Sequence, residues 1–338
     1  MGNHRGQQVG TAIAKSLTFL RRAQLPKGEF RVLAAKDQAM KCGCHHDSSP
    51  FVTSLILYSL RFAHGNEKRE MIAKGLRFLC SQAMEIGLWR YWSKNHELHA
   101  TLPPDIDDTA NASFVLELYD HPFLANREIV YTSKNEEGLF YTWFLPRGAF
   151  PERFKQALSS VVSPEAMLKL AVFNAFDDVD PYINANVALY LGENENTTRA
   201  IEYLVGLVAG NRSQVNSRSY LNVLAFYYFL SRAYFCSVPS LQRIGKTIIN
   251  MLETLHDSAG SFGNALHTAL AVCTYHNLRV AGPMMDKPIS RILEGQKNDG
   301  SWPRIPLYVG PAPYYGSEEL TTAFCLEALC RYAPVPRQ

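Results

Sequence analysis

Apolar residues recur along the chain at helical spacing, and runs with the alternation of β-strands are few. The runs come in pairs, in which the second helix is more apolar than the first. A helix that is apolar on every side is buried, so the second helix of each pair is expected inside. The pattern predicts inner helices near 50–63, 107–119, 181–192, 218–235, 263–278 and 317–332, and outer helices near 8–24, 68–83, 151–172, 196–209, 238–255 and 286–296.

A turn that carries glycine and an aromatic residue recurs along the chain. It ends at Phe30, Trp89, Phe140, Phe262 and Trp302. The intervals from the first to the second, the second to the third, and the fourth to the fifth are 59, 51 and 40 residues. Recurrence at unequal spacing indicates one supersecondary unit with variable insertions.

The repeated unit predicts an all-α fold, an α/α barrel of about six helical hairpins that spans residues 1–338 as one domain. Each inner helix has a small polar residue in its first turns, and a buried polar group needs a partner or a cavity. The inner helices are therefore expected to begin at one end of the barrel and to line a central cavity. An open helical solenoid is the alternative architecture.

Composition narrows the class of protein. Hydrophobic residues make up 47% of the chain and charged residues 19%, which is ample for a large core. The net charge of +3 gives no sign of nucleic-acid binding. The N-terminal residues lack an apolar signal core, and no apolar run approaches the roughly 18 residues of a membrane span. Seven irregularly spaced cysteines are typical of reduced thiols, so a cytoplasmic protein is expected, with peripheral membrane contact left open.

Three carboxylates are crowded into the segment Pro-Asp-Ile-Asp-Asp-Thr-Ala at positions 104–110, where an inner helix begins. Proline stops any preceding helix, and an aspartate that follows is a good N-cap. On a helix, Asp105 and Asp108 share a face while Asp107 points about 100° away from Asp108. An ordinary acidic helix start is the alternative interpretation.

Two motifs carry a resemblance to a known family. Positions 105–110 match the DxDD-Thr-Ala motif of class II terpene cyclases, and Gln296 to Trp302 match the QxxDGxW repeat of squalene-hopene cyclases. Full-length relatives usually carry two α-barrel domains, whereas this chain has room for one. It therefore most resembles the monodomain class II cyclases that make meroterpenoids from polyprenylated aromatic acids.

The resemblance implies a function and a small-molecule partner. The substrate would be a prenylated aromatic acid of the geranylgeranyl-hydroxybenzoate type, cyclised after protonation without loss of diphosphate. No cofactor and no obligate protein partner are implied. A class II diterpene cyclase that uses geranylgeranyl diphosphate with magnesium is an alternative, and so is a non-enzymatic helical-repeat protein that binds lipid.

The family pattern makes Asp107 the proton donor, with Asp105 and Asp108 beside it. Crowded carboxylates cannot all ionise, so one of them keeps its proton at neutral pH. The squalene-hopene type holds the acid with a histidine from a later helix, and none occurs at the corresponding position here. Asn186 is the expected substitute, while Asn184 is the other candidate or a simple helix cap.

Aromatic faces stabilise a carbocation by about 0.5–2 kcal/mol each. About half of the candidates are expected to be ordinary core residues, above all the tryptophan of the QxxDGxW motif, whereas those in loops before inner helices are the better candidates for the cavity. The candidates are Trp89, Trp92, Tyr220, Phe226, Trp302, Tyr314 and Tyr315.

Other polar clusters have simpler interpretations. Glu318 and Glu319 could take part in the final deprotonation, but negative charge is also favoured at any helix start. The acidic run 177–180 is interpreted as a solvated loop. The cysteine- and histidine-rich run 42–47 could bind zinc, but it lacks the Asp-x-Cys pair of protein prenyltransferases, which share this barrel. It is expected to be a loop at the cavity mouth, where His45, His46 or Arg90 could hold a polar head group. No metal ligands are predicted.

Overall fold

Six helices form a closed inner ring in the computed structural model, which describes residues 2–148, 150–210, 215–280, 282–309 and 313–333, with backbone only for residues 2–4. Each inner helix contacts the next, and the last contacts the first, so the ring closes. The closure confirms the barrel and rules out the open solenoid. The inner helices are α2 (Pro50–Leu60), α4 (Ile106–Leu118), α8 (Pro181–Leu191), α10 (Val223–Cys236), α12 (Ala265–Asn277) and α14 (Glu318–Tyr332).

The outer layer is less regular than predicted. One expected outer helix, near 151–172, is two, because Pro164 lacks an amide hydrogen and Ser163 caps a new helix with its side chain. A further short helix precedes these two. The outer helices are α1 (Gly2–Ala23), α3 (Glu67–Gln82), α5 (Arg127–Thr132), α6 (Glu152–Val161), α7 (Pro164–Val172), α9 (Thr198–Ala209), α11 (Gln242–Leu255) and α13 (Asp286–Glu294).

A four-stranded antiparallel sheet, which the sequence pattern did not predict, lies where α2 and α14 begin. Its order is β2-β1-β4-β3, with Ala34 of β1 opposite Tyr315 of β4. The run 42–47 is therefore not simply a loop, because its last three residues form β2. The strands are β1 (Val32–Ala35), β2 (His45–Asp47), β3 (Ile305–Val309) and β4 (Tyr314–Ser317).

The recurring turn has one geometry in all five places. Its glycine has a positive φ, between 72° and 98°, and its amide donates to the carbonyl three residues earlier. At Gly28 an added Cβ would lie 2.1 Å from the Lys74 carbonyl oxygen of α3, so the turn requires glycine. The glycines are Gly28, Gly87, Gly138, Gly260 and Gly300.

The small polar residues of the inner helices are partners of these turns. In each case the backbone amide of the turn's aromatic residue donates to the side-chain oxygen of an inner-helix residue. The turns at the outer helices are thus tied to the starts of the inner ones. The acceptors are Thr53, Thr109, Asn184, Thr268 and Thr322.

Trp89 and Trp302 occupy equivalent positions in two repeats. Each indole donates to a carbonyl of the preceding outer helix, at 2.9 Å for Trp89 and 2.7 Å for Trp302. Both rings are fully buried and neither lines the cavity. Trp302 was expected to pack as core, but the placement of Trp89 in the pocket is wrong, because the repeat turns its ring toward the outer layer.

In the described part of the chain, no helix is long and apolar enough to cross a membrane.

Candidate active site

A cavity of about 270 Å³ opens at the end of the barrel where the inner helices begin. Its walls come from the starts of α2, α4 and α8, from the loop before α10, and from β3 and β4. The acidic segment forms one part of the wall and a group of tyrosines another. The residues that line it include Phe51, Tyr91, Trp92, Asp105, Asp107, Asp108, Thr142, Asp178, Arg218, Tyr220, Tyr308 and Tyr315.

Asp105 fixes the backbone of the acidic segment. It is the N-cap of α4, and its carboxylate accepts hydrogen bonds from the amides of Asp107 and Asp108, at 2.6 and 3.2 Å. Its own amide donates to the Trp89 carbonyl, 3.0 Å away. The segment is thereby held in one conformation against the preceding turn.

Asp107 is buried and receives three hydrogen bonds from uncharged donors. The amides of Asn111 and Asn186 donate to Oδ1 at 3.0 and 2.8 Å. The Tyr220 hydroxyl donates to Oδ2. These donors come from α4, from α8 and from the loop before α10, so three separate elements converge on one carboxyl group. Each of them favours the ionised form of Asp107.

A guanidinium stands behind the two amides. Arg232 of α10 is fully buried, and its Nη2 donates to the side-chain oxygens of Asn111 and Asn186, each at 2.7 Å. The positive charge therefore polarises both amides toward Asp107 without touching it. Three aromatic rings surround the guanidinium, with centroids at 5.1 to 5.6 Å from its central carbon, which lowers the cost of burying it.

Burial and crowding keep protons on the acidic segment. Burial, and then the charge of Asp107, raise the pKa of Asp105 well above its usual range. Burial and the two neighbouring carboxylates do the same to the pKa of Asp108. The pKa of Asp107 is also raised by burial, against the lowering effect of its hydrogen bonds and of Arg232. Because the three sites interact, the cluster as a whole retains protons at neutral pH.

Asp108 faces the cavity with one oxygen free of any hydrogen bond among the described residues. No Lys, Arg or His side chain forms an ion pair with Asp108 among the described residues. Farther toward the rim, Asp178 accepts from the Thr142 hydroxyl at 2.6 Å and pairs with Arg218 at 3.4 Å. Asp180 caps α8, and burial raises its pKa to about 7.

An aromatic belt leads from Asp107 across the cavity. Tyr220, which holds the acid, has its ring 6.4 Å from that of Tyr308. Tyr308 stacks on Tyr315 at 5.3 Å and meets the edge of Tyr91 at 5.9 Å. Trp92 adjoins Tyr91 at 5.4 Å. Electron-rich ring faces thus line the cavity beside Asp107, and such faces attract a positive charge.

Several predicted residues do not reach the cavity. Asn184 bonds the backbone of Phe140 and of Asp180, so it ties a turn to α8 rather than holding Asp107. Phe226 is buried in α10 beside Tyr182, because the helix begins at Val223 and not near 218. Tyr314 alternates with Tyr315 along β4 and faces away.

The glutamates considered for the final deprotonation, and Arg90, which was considered for the head group, have partners outside the cavity. Glu318 pairs with Arg304 at 2.9 Å and Glu319 with Arg31 at 2.9 Å, and neither lines the cavity. Arg90 donates to two backbone carbonyls. Within the described residues, which include all of the run 42–47, no group of three or more His, Cys, Asp or Glu side chains is placed to hold a metal ion.

The residues that sequence reasoning missed are Asn111, Arg232, Tyr91 and Tyr308. The strongest overlooked signal is Arg232, a single charge within the apolar run 223–236 of an inner helix. A charge in such a place is almost never buried without partners. Tyr91 and Tyr308 had no comparable signal, because their role depends on the sheet.

Exposed apolar side chains lie close to the rim of the cavity. Leu168 and Val172 of α7 are 65% and 71% exposed, and Phe173, just after the helix, is 45% exposed. Phe173 also lines the cavity.

Comparison with known proteins identifies the architecture. No protein-family model matches the sequence, and no curated protein matches it. Among solved structures, the type II terpene cyclase MstE from Scytonema in complex with geranylgeranyl dihydroxybenzoate, its substrate, superimposes with a TM-score of 0.71 at 16% identity, covering 98% of this chain and 99% of that one.

The same cyclase in complex with merosterolic acid A, its product, gives a TM-score of 0.70 at 16% identity, over 99% of each chain. The fold is that of a type II terpene cyclase. A protein from Actinoplanes also matches, with a TM-score of 0.70 at 16% identity over 96% of this chain and all of that one.

Proposed function

We propose that the protein is a class II terpene cyclase that protonates a prenylated aromatic acid and closes it into a polycyclic meroterpenoid. The observation that supports this most directly is the environment of Asp107. A buried carboxyl group in a cluster that retains protons, with three donors already in place for its conjugate base, is suited to give up a proton.

The first step would be proton transfer from Asp107 to the terminal alkene of the substrate. A C–H bond forms, the alkene becomes a tertiary carbocation, and Asp107 is left as a carboxylate. The hydrogen bonds from Asn111, Asn186 and Tyr220, and the charge of Arg232 behind the amides, stabilise that carboxylate as it forms. These groups need no reorganisation, since they are fixed before the proton moves.

The cation would then pass along the prenyl chain as successive alkenes attack it. Tyr220, Tyr308, Tyr91 and Trp92 offer π faces along this path. The cavity is lined mainly by apolar and aromatic groups, which exclude water that would capture the cation.

The proposed substrate class follows that of MstE, whose structures contain geranylgeranyl dihydroxybenzoate and merosterolic acid A. We infer that this protein acts on a related molecule and requires neither a metal nor a redox cofactor, since proton transfer and ring closure are internal rearrangements. No protein partner is required by this scheme. Leu168, Val172 and Phe173 would let the rim rest on a membrane while a greasy substrate enters.

The test is incubation of the purified protein in D2O with a geranylgeranylated hydroxybenzoate and EDTA. The expected products are cyclic isomers of the substrate that carry one deuterium from the acid. Asp107→Asn should fold and bind substrate but give no deuterated product. Asp120→Asn, a change of the same kind just beyond the other end of α4, is the control and should remain active.

A parallel incubation with geranylgeranyl diphosphate, with and without magnesium, separates the substrate classes. Cyclisation of the diphosphate alone, and only with magnesium, would contradict the proposed substrate and the absence of a metal. Full activity of Asp107→Asn would contradict the mechanism.

A further inference from the structure

A buried cluster of polar side chains lies behind the aromatic wall formed by the sheet, at the end of the belt remote from Asp107. Its centre is Asp47, the last residue of β2, which is 4% exposed and does not line the cavity. The residues around it have no part in the first proton transfer.

Two donors bond the Asp47 carboxylate. The Trp92 indole donates to both oxygens at 3.1 Å, and His96 Nε2 lies 2.6 Å from Oδ1. The Leu98 amide donates to His96 Nδ1 at 3.1 Å, so the neutral ring carries its hydrogen on Nε2 and donates it to Asp47. The Tyr315 hydroxyl lies beside the same carboxylate, and burial and then the charge of Asp47 raise the pKa of Tyr315.

Tyr315 connects this cluster to the cavity through its hydroxyl group. Its side chain lines the cavity, and its ring stacks on Tyr308 at 5.3 Å. Tyr308 in turn neighbours Tyr220, the partner of Asp107. A cation that starts at Asp107 and moves along the belt therefore ends beside a hydroxyl group with a carboxylate behind it.

We propose that Tyr315 and Asp47 form the proton exit of the reaction: Tyr315 removes the proton that ends cyclisation and passes its own to Asp47. This inference rests on the proposed function. In the step, a C–H bond next to the final cationic carbon breaks, its electron pair becomes the product's C=C bond, and the proton goes to Tyr315 Oη. The O–H bond of Tyr315 breaks as its proton moves to Asp47.

A tyrosine placed between the cation and the carboxylate has a chemical advantage. A carbocation is so strong an acid that a weakly basic hydroxyl suffices to deprotonate it, and the carboxylate behind makes that hydroxyl a better acceptor. A carboxylate in direct contact with the final cation, which has no further alkene to react with, could instead bond to it as an ester. Keeping Asp47 behind Tyr315 and Trp92 provides the charge without that side reaction.

Tyr220 and Thr142 also place a hydroxyl with a carboxylate partner in the cavity, but both are less suited to this role, Tyr220 because its partner is Asp107 itself. Thr142 bonds Asp178, but the Thr142 carbonyl accepts the amide of Ile106, which places it beside the acid segment. A proton transferred to Asp178 would therefore end close to Asp107, the group that supplied the first proton. The Tyr308 hydroxyl is bonded to that of Tyr91, at 3.1 Å, rather than to a carboxylate.

The experiment compares the purified wild-type protein with Tyr315→Phe and with Asp47→Asn in D2O, using the geranylgeranylated hydroxybenzoate. The total amount of deuterated product measures how often Asp107 starts the reaction. The distribution of products shows how the final cation loses its charge. In Tyr315→Phe, deuterated products should still form, but the share of the wild-type product should fall at least tenfold. Isomeric alkenes and products heavier by one D2O should replace it.

Asp47→Asn, which keeps an acceptor for Trp92, should shift the distribution the same way. Tyr332→Phe is the matched control, because it removes a tyrosine–aspartate hydrogen bond of 2.5 Å, to Asp286, that lies outside the cavity, and it should keep the wild-type distribution.

An unchanged product distribution in Tyr315→Phe would overturn the proposal, and so would a uniform loss of all products, which indicates a structural role alone. If the wild-type protein itself forms no deuterated product, it is the proposed function that fails.

Discussion

The surroundings of Asp107 suit the negative charge that it would acquire as the proposed acid rather than the neutral form in which it would start. Its donors are two amides and a phenol, and the nearest positive charge in its network, Arg232, is one hydrogen bond farther away. A guanidinium in direct contact would hold the carboxyl group ionised and destroy it as an acid. Setting the charge behind polarised amides keeps the proton in place and still stabilises the product of its loss.

The two candidate asparagines of α8 differ in what they bond, and this difference can be measured. Asn186→Ala removes a donor from Asp107 and should lower the rate of deuterium incorporation about 10²-fold, since single donors to developing anions have effects of about this size. Asn184→Ala removes the acceptor of the Phe140 amide and should instead cost about 1–3 kcal/mol of unfolding free energy.

Steady-state rates and urea unfolding of both variants check this contrast. The prediction is contradicted if Asn184→Ala, corrected for the folded fraction, slows the reaction as much as Asn186→Ala does.

The helices and the acidic segment could be predicted from the sequence, because each is marked by a pattern of residues that lie close together in the chain. Periodicity placed the inner helices within a few residues, apart from the start of α10, and crowded aspartates after two prolines marked the start of α4. The sheet could not be predicted, because its strands have three to five residues and its central pair, β1 with β4, joins opposite ends of the chain. Trp89 was misplaced since loop position does not reveal which way a ring turns.

Within the sheet, Gly316 is the residue on which strand pairing depends most. A Cβ added there would lie 2.2 Å from the Ile305 carbonyl oxygen of β3. Gly316→Ala should therefore lower the unfolding free energy by about 1–3 kcal/mol through local overpacking. It should also change the product distribution, because Tyr315 is the preceding residue.

Gly206→Ala, in the outer helix α9, is the control, since its Cβ would meet nothing within 4 Å. It should be neutral or stabilise by about 0.5–1 kcal/mol, because alanine favours a helix. Equal stability losses in the two variants, measured by urea unfolding, would contradict the packing argument.

For the molecule as a whole, the buried carboxyl groups make stability depend on pH in an unusual sense. Asp180, whose pKa is raised to about 7 by burial, binds a proton in the native state that the unfolded chain has already lost above about pH 4. Its contribution is present at low pH and is lost as the pH rises from about 4 to about 7. The shift corresponds to at most roughly 4 kcal/mol.

Urea unfolding at pH 5 and pH 7.5 should show a loss of stability in the wild-type protein that is smaller in Asp180→Asn. Asp177→Asn, which changes a neighbouring exposed carboxylate, should retain the wild-type difference. Identical pH dependence in Asp180→Asn and the wild-type protein would show that Asp180 does not retain its proton.

The pairing of β1 with β4 also sets an order of events during synthesis. Ala34 and Tyr315 face each other although 281 positions (315 minus 34) separate them, so this wall forms only when nearly the whole chain has left the ribosome. The acid segment, in contrast, is complete within the first third of the chain. A nascent protein would therefore carry the proposed proton donor long before it has the wall that would confine a cation, and the proposed cyclase activity would arise only with the final strands.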